Sequence, residues 1–418
     1  MERRLPEPLS TVERHRLADE WANGVELYDV PAISCLIQGA RRVPALRTAL
    51  NCGSRTLTYG ELFDRVDALH AESAGFAFGS RTSAAGSAWA GATVSGDGRE
   101  PGDAALDGLV RLLSEIVSAA TADALPVPPS DCTGGHPGEC GLAQAGDCAF
   151  TRARGLAEPV VSGLALTLSA LAAAADDRRG VVADHRICRV DRAYGSADVR
   201  LLAVAWDGAD AAVELLAALA DGATLVLATA AQRADAAALA GLIAETSATH
   251  VLAEADALAG FADLAAPFLP SVRRWDVTGT SCPAILSGLL RMIAPDSVAG
   301  FAYTAPEYAG VVARGPLDGS GRVRPIPGAR LLVLDAELCL LAPGESGDVH
   351  IGGAALAIEP ADAAATFIAD PYAPGRVART GERGRWTADG WLVFDAAATG
   401  SSESAGAAGA SGIDFAAA

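Results

Sequence analysis

Four short aliphatic runs, "VRLLAVAW", "ATLVLA", "ATHVLAEA" and "VRRWDVTG", follow one another between residues 199 and 279, separated by Ala/Leu-rich stretches of helical period. A strand buried on both faces reads as a continuous apolar run, and a crossover helix between two such strands makes them parallel. The alternation predicts a largely parallel α/β layer. From Arg322 the pattern changes to closely spaced turns and strands, "ARLLVLDAELCLLAPGESGDVHIGGAALA", which predicts a separate, small antiparallel β unit. Trp386 to Phe394 reads as a hairpin, because Asp389-Gly390 tolerates the positive φ of a tight turn.

The flanking segments are less regular. Residues 1–28 carry Ser10 as a helix N-cap ahead of "TVERHRLADEW", with Val12, Leu17 and Trp21 apolar. This stretch is expected to be a linker or docking segment whose Leu17 and Trp21 would be exposed without a partner. "RTLTYGELFDRVDALHAE" predicts a strand turning into a helix with Leu62, Val66 and Leu69 on one face, and "ALDGLVRLLSEIVSAA" a further helix. Between Gly75 and Asp103 the sequence is Gly, Ser and Ala with little periodicity, an eroded or loop-rich connection. The run from Val160 to Ala175 is apolar over 16 residues, too short to span a bilayer, and is expected to form a buried helix. The chain thus divides into 1–28, an αβ portion over 29–320 that is eroded at about 75–200, a β-rich subdomain over 321–395, and a flexible tail over 396–418.

Charge and composition exclude whole classes of function. The net charge is −19, the reverse of the clustered basic surface that phosphate neutralisation requires, so nucleic acid is excluded as a partner. All 32 basic residues are arginine, which removes any mechanism that depends on a lysine amine. The N-terminus has no apolar signal-type core and no segment reads as a membrane span, so a cytoplasmic protein with eight reduced cysteines is expected. Cys132, His136, Cys140 and Cys148 stand as C-x3-H-x3-C-x7-C. That is looser than the paired C-x2-4-C spacing of structural zinc sites, and a metal-free loop of free thiols is expected.

Several segments, in order, resemble the adenylation domains of nonribosomal peptide synthetases, within the adenylate-forming or AMP-binding superfamily: "LPEPLSTVERHRLADEWANG", "RTLTYGELFDRVDALH", "VELLAALADGATLVLA", "LPSVRRWDVTGTSCPA", "VRPIPGARLLVLDAELCLLAPGESGDVHIGGAALA" and "ARTGERGRWTADGWLVF". The resemblance covers roughly Leu5 to Phe394. It implies the N-lobe of an adenylate-forming enzyme, with parallel αβ layers plus the antiparallel unit, ending before the C-terminal lobe that carries the family's catalytic lysine.

The resemblance also assigns site residues. The family's phosphate loop, rich in Gly, Ser and Thr and ending in Pro-Lys-Gly, is met in two registers. One runs through "TRARGLAEPVV" and puts Val160 at the lysine position; the other runs through "LAAAADDRRG" and puts Arg179 there with Asp176 and Asp177 alongside. Neither keeps the glycine and hydroxyl spacing that lets backbone N–H groups cradle phosphate. Tyr303-Thr304-Ala305-Pro306-Glu307 meets the family's Tyr-Gly-Pro-Thr-Glu and keeps the glutamate that would reach nucleotide-bound magnesium. Thr380-Gly381-Glu382 meets Thr-Gly-Asp, whose carboxylate receives ribose hydroxyls; the alternative is a solvated turn made by Arg379 and Glu382. Glu214 matches a core glutamate, but the Phe-Asp pair normally before it reads Gly208-Ala209, with Asp207 and Asp210 as near misses. Tyr303, Glu307, Thr380, Glu382 and Arg179 are therefore candidate, vestigial nucleotide-binding residues, with no catalytic residue and no resident metal. The expected function is a catalytically degenerate docking or scaffold protein of nonribosomal peptide biosynthesis, without a cofactor, partnered by peptide-synthetase modules or MbtH-type helper proteins. The alternatives are amino-acid or acyl adenylation with ATP and magnesium alongside a second polypeptide, and a decayed gene product.

Overall fold

The computed structural model describes residues 9–24, 30, 32–76, 101–123, 160–161, 164–165, 167–179, 181–183, 186–188, 197–206, 209–264, 267–279, 283–358 and 366–395. The cysteine loop and the tail beyond Asp395 lie outside them, as does most of the stretch between Gly75 and Asp103.

Fourteen strands form one sheet: β1 (Thr48–Cys52), β2 (Arg55–Thr58), β3 (Val199–Ala203), β4 (Thr224–Leu227), β5 (His250–Glu254), β6 (Arg274–Thr278), β7 (Val298–Thr304), β8 (Val311–Pro316), β9 (Arg322–Pro325), β10 (Ala329–Leu334), β11 (Gly347–Gly353), β12 (Phe367–Ala369), β13 (Arg376–Trp386) and β14 (Leu392–Phe394). Their order is β10-β11-β13-β14-β9-β8-β7-β6-β5-β3-β4-β1-β2, with β12 on β13. Strands β1, β4, β3, β5, β6 and β7 are mutually parallel, and every other pairing is antiparallel. All four aliphatic runs are parallel strands, as their composition requires. The antiparallel unit is not separate. Strand β9 pairs with β8 through Ala313↔Pro325 and with β14 through Arg322↔Val393, so it carries the hydrogen-bond ladder from one part into the other.

The helix Ala209–Asp221 is buried along Ala211–Asp221. It packs against β3, β4 and the helices Ile33–Ala40, Pro101–Asp123 and Leu168–Arg179. Enclosed on all sides, it has no solvated face and its buried Glu214 and Asp221 are paired with arginines, while alanine at its contacts lets neighbouring helices approach closely. The expected helix over Val160–Ala175 is corrected. Val160↔Ala165 and Val161↔Leu164 form an antiparallel pair, and the helix runs from Leu168 to Arg179. Thr167 accepts the Ala170 N–H on its hydroxyl (3.0 Å), a local cap that starts the helix after the β-branched valines.

At the N-terminus, Ser10 caps Thr11–His15 in a reciprocal capping box with Glu13, as its sequence predicts. The exposure expected of Leu17 and Trp21 is corrected, because both are covered by the chain itself. Leu17 is 1% exposed. Trp21 packs on Trp386 with ring centroids 6.0 Å apart and lies over the Gly390 turn. Arg330 on β10 donates to the Ala18 carbonyl (2.7 Å) and to Asn23 Oδ1 (2.8 Å), and Leu331 N–H bonds the Ala22 carbonyl (2.8 Å). Gly24 passes so close to the turn after β9 that a Cβ there would sit 1.7 Å from the Ile326 carbonyl oxygen, so only glycine permits this approach. Leu17→Ala is expected to cost ~2–5 kcal/mol in chemical denaturation, the range for a truncated core leucine. Val12→Ala, at a position 62% exposed, should leave the transition in place.

Candidate functional site

The Tyr303 and Glu382 motifs meet where the parallel and antiparallel parts of the sheet join. Tyr303 lies near the carboxyl end of β7, and the loop after it is tied to the segment following β11 by hydrogen bonds from Ala357 N–H to the Glu307 carbonyl (2.9 Å) and from Ala309 N–H to the Ala355 carbonyl (2.9 Å). On β13, Arg379 pairs with His350 and Arg383 with Asp348, so Thr380, Gly381 and Glu382 together face the single residue Val349. This bulge is closed by the Thr380 hydroxyl, which donates to the Val349 carbonyl (2.9 Å) and accepts the Glu382 N–H (3.1 Å). Gly381 takes φ +78°, a conformation that glycine enters without a Cβ penalty.

The bulge turns Glu382 so that its carboxylate accepts the Tyr303 hydroxyl, while the Tyr303 ring rests on Phe394 of the terminal hairpin at 4.4 Å. Burial and the bond to Glu382 push the phenol well above its ordinary pKa. Glu307 lies within electrostatic range of both groups, and its Oε2 is buried with no hydrogen-bond partner. Burial, with repulsion from Glu382 added, pushes Glu307 above the usual carboxylate range. The structure therefore brings together four of the five predicted residues: Tyr303, Glu307, Thr380 and Glu382. The alternative Arg379–Glu382 turn is not formed, since Arg379 pairs with Asp348.

Arg179, the fifth, is placed elsewhere. The second phosphate-loop register is corrected, because "LSALAAAADDRR" is helical and its charged end is committed to ion pairs. Arg179 donates to Asp221 (2.8 Å) and lies 3.9 Å from Asp176. Arg178 is 0% exposed and faces Asp210 (2.6 Å), Glu214 (3.2 Å) and Asp276 (3.6 Å). Arg200 on β3 bonds Glu214 (2.8 Å) and the Arg178 carbonyl (2.9 Å). Arg314 on β8 bridges Asp177 (2.6 Å) and Asp276, and Arg274 on β6 completes the ring on Asp276 (2.8 Å). Burial alone would raise the Asp276 pKa; Arg274, Arg314 and Arg178 outweigh it and hold the carboxyl far below its usual range. His250, buried and facing Arg200 and Arg274, is held neutral with its pKa lowered to about 3. Asp210 thus serves Arg178, while Asp207 and Gly208 lie outside the described residues. In the first register, Val160 belongs to the antiparallel pair with Ala165.

The comparisons with known proteins agree with this fold. The family described as AMP-binding enzyme matches residues 179–358. The chain is adenylation-domain-like. It is similar to the nonribosomal peptide synthetase CymA of Salinispora arenicola, 38% identical over 168 residues that cover 37% of this chain and 2% of the relative, so the chain spans a small fraction of that protein's length. Two solved structures share the fold. The nonribosomal peptide synthetase FmoA3 in its AMPPNP-bound form has a TM-score of 0.62 and 19% identity, over 93% of this chain and 45% of the other. The Klebsiella oxytoca NpsA N-terminal subdomain, solved with 3-hydroxyanthranilyl-AMSN, has a TM-score of 0.56 and 18% identity, over 88% of this chain and 99% of that one.

For an adenylation-domain-like chain the groups to fit are ATP and magnesium. Glu307 offers one orphaned carboxylate oxygen, the kind of single protein ligand by which magnesium is held together with nucleotide phosphates. A triphosphate needs positioned donors and cations. Glu307 and Glu382 supply carboxyl groups instead, and Arg178 and Arg179 are each bound to acids. The described residues do not fit the nucleotide. No helix among them is long and apolar enough to cross a membrane.

The network predicts its own sensitivity. Asp276→Asn leaves Arg274, Arg314 and Arg178 facing a neutral group and should cost ~3–5 kcal/mol in urea or thermal denaturation, the price of breaking a buried ion cluster on one side. Asp348→Asn, which releases only the exposed Arg379 and Arg383, should cost under ~1 kcal/mol.

Proposed function

We propose that this adenylation-domain-like chain is catalytically degenerate and serves nonribosomal peptide biosynthesis as a non-catalytic docking or scaffold component. The observation that carries this reading is the helix Leu168–Arg179. In the second of the two registers it stands where the family has its phosphate loop, and its two arginines are bound to Asp210, Glu214 and Asp221. A helical backbone has its N–H groups in i→i−4 bonds, so it cannot also cradle phosphate in mid-course. The intact core, with the enclosed helix Ala209–Asp221 and six parallel strands, supports a folded product rather than a decayed remnant. The proposed partners are peptide-synthetase modules or MbtH-type helper proteins, and no cofactor is needed.

Amino-acid-dependent exchange of labelled pyrophosphate into ATP tests the reading. The purified chain, assayed with the proteinogenic amino acids and common aryl acids, with and without a helper protein, should show no exchange above the protein-free control. Loss of one positioned donor already lowers turnover ~10²–10³-fold. Robust exchange that disappears in Glu307→Gln would overturn this reading in favour of adenylation with a second polypeptide.

A further inference from the structure

A cavity of about 480 Å³ opens at the amino ends of β6 and β7, the opposite end of these strands from Tyr303 and Glu307. Its floor is Arg274, Asp276 and Arg314 of the buried network, and its rim carries Arg291 from the helix Ile285–Ile293 and Arg324 from β9. Apolar walls come from Val298, Leu317 and the Pro325–Pro327 turn.

In a chain of net charge −19, this cavity gathers four arginines against two aspartates, Asp276 and Asp318. Asp318 is turned away to Ser320 and Arg322 (3.2 Å). On the floor, Asp276 is shared between Arg274 and Arg314, and the buried Arg314 Nε has no hydrogen-bond partner. Burial, with repulsion from Arg314 added, pulls Arg274 below its ordinary guanidinium pKa even with Asp276 beside it. On the rim, Arg324 is held over the Trp391 ring (4.3 Å) in a fixed orientation by the Asp389 and Gly390 carbonyls, with the exposed Asp389 carboxylate within electrostatic range. Arg291 is exposed, with no acidic partner among the described residues.

We propose that this cavity is a binding site for a small organic oxyanion, a carboxylate or phosphate monoester on an apolar body. The oxyanion sits between Arg291 and Arg324, where guanidinium groups match its planar acceptor edge, and the apolar body lies against Val298, Leu317 and the proline turn. Cavities of this size bury most of a small ligand. The site uses none of the nucleotide-motif residues and stands independently of the proposed scaffold role.

Isothermal titration calorimetry with phenyl phosphate, benzoate, inorganic phosphate and neutral benzyl alcohol tests it. Phenyl phosphate or benzoate should bind saturably, more weakly at high salt, and more tightly than inorganic phosphate, with benzyl alcohol not binding. Arg291→Gln, at an exposed position that leaves the core untouched, should weaken binding about tenfold or more, as expected for one charge-assisted hydrogen-bonding partner. Ala299→Trp, which fills the mouth while keeping every charge, should abolish it. Glu307→Gln should leave it unchanged. Absence of saturable binding by both organic anions, inorganic phosphate binding as tightly as phenyl phosphate, or undiminished affinity in Arg291→Gln would each overturn the proposal.

Discussion

One buried carboxylate organises the α/β half of this molecule. Asp276, in the middle of β6, is held ionised by Arg274 on its own strand, Arg314 on β8 and Arg178 at the end of the helix Leu168–Arg179. Through Arg178 the same network reaches Asp210 and Glu214 on the neighbouring helix, and through Glu214 it reaches Arg200 on β3. Such a cluster adds little net stability over an apolar core, because desolvation offsets most of the attraction. It does fix register, since each guanidinium must find its acid and a displaced helix would strand buried charge. The helix is thereby locked to the sheet with both terminal arginines engaged.

The residues of the nucleotide motifs are placed by sheet geometry. A bulge aims Glu382 at Tyr303, a hairpin supplies Phe394 behind the ring, and Glu307 is fixed by its backbone. All three devices depend on strand pairing, so they persist wherever the sheet does. The Tyr303 hydroxyl is spent on Glu382, and burial pushes Glu307 towards its neutral form. The fold likeness to peptide-synthetase structures is carried by the same sheet that preserves these motifs.

Much of the fold was legible because its signals are local. Continuous aliphatic runs marked the parallel strands, Asp389-Gly390 marked the terminal turn, and Ser10 with Glu13 marked the first helix. What was not legible depends on contacts distant in sequence. Nothing near Leu17 and Trp21 announces that β10 and the Trp386 hairpin will cover them. The ladder through β9 joins two units whose patterns look independent. In the ion network, acids and arginines from five segments meet only after folding. A signal for it did exist: Arg200, Arg274 and Asp276 lie inside strands that are otherwise apolar, and charge in such a place must be paired. Arg179 was read as a phosphate ligand because its spacing to "GVVADHR" is right, while its partner Asp221 is 42 residues away.

Direct nucleotide binding tests the central claim most sharply, because it does not depend on any substrate being known. Titration of the chain with ATP in the presence of magnesium, followed by calorimetry, reads whether Arg178 and Arg179 are available to phosphate. With both arginines held by their acids, no saturable heat is predicted up to millimolar nucleotide. Saturable binding that is lost in Arg179→Ala, with the fold intact by circular dichroism, would contradict the account.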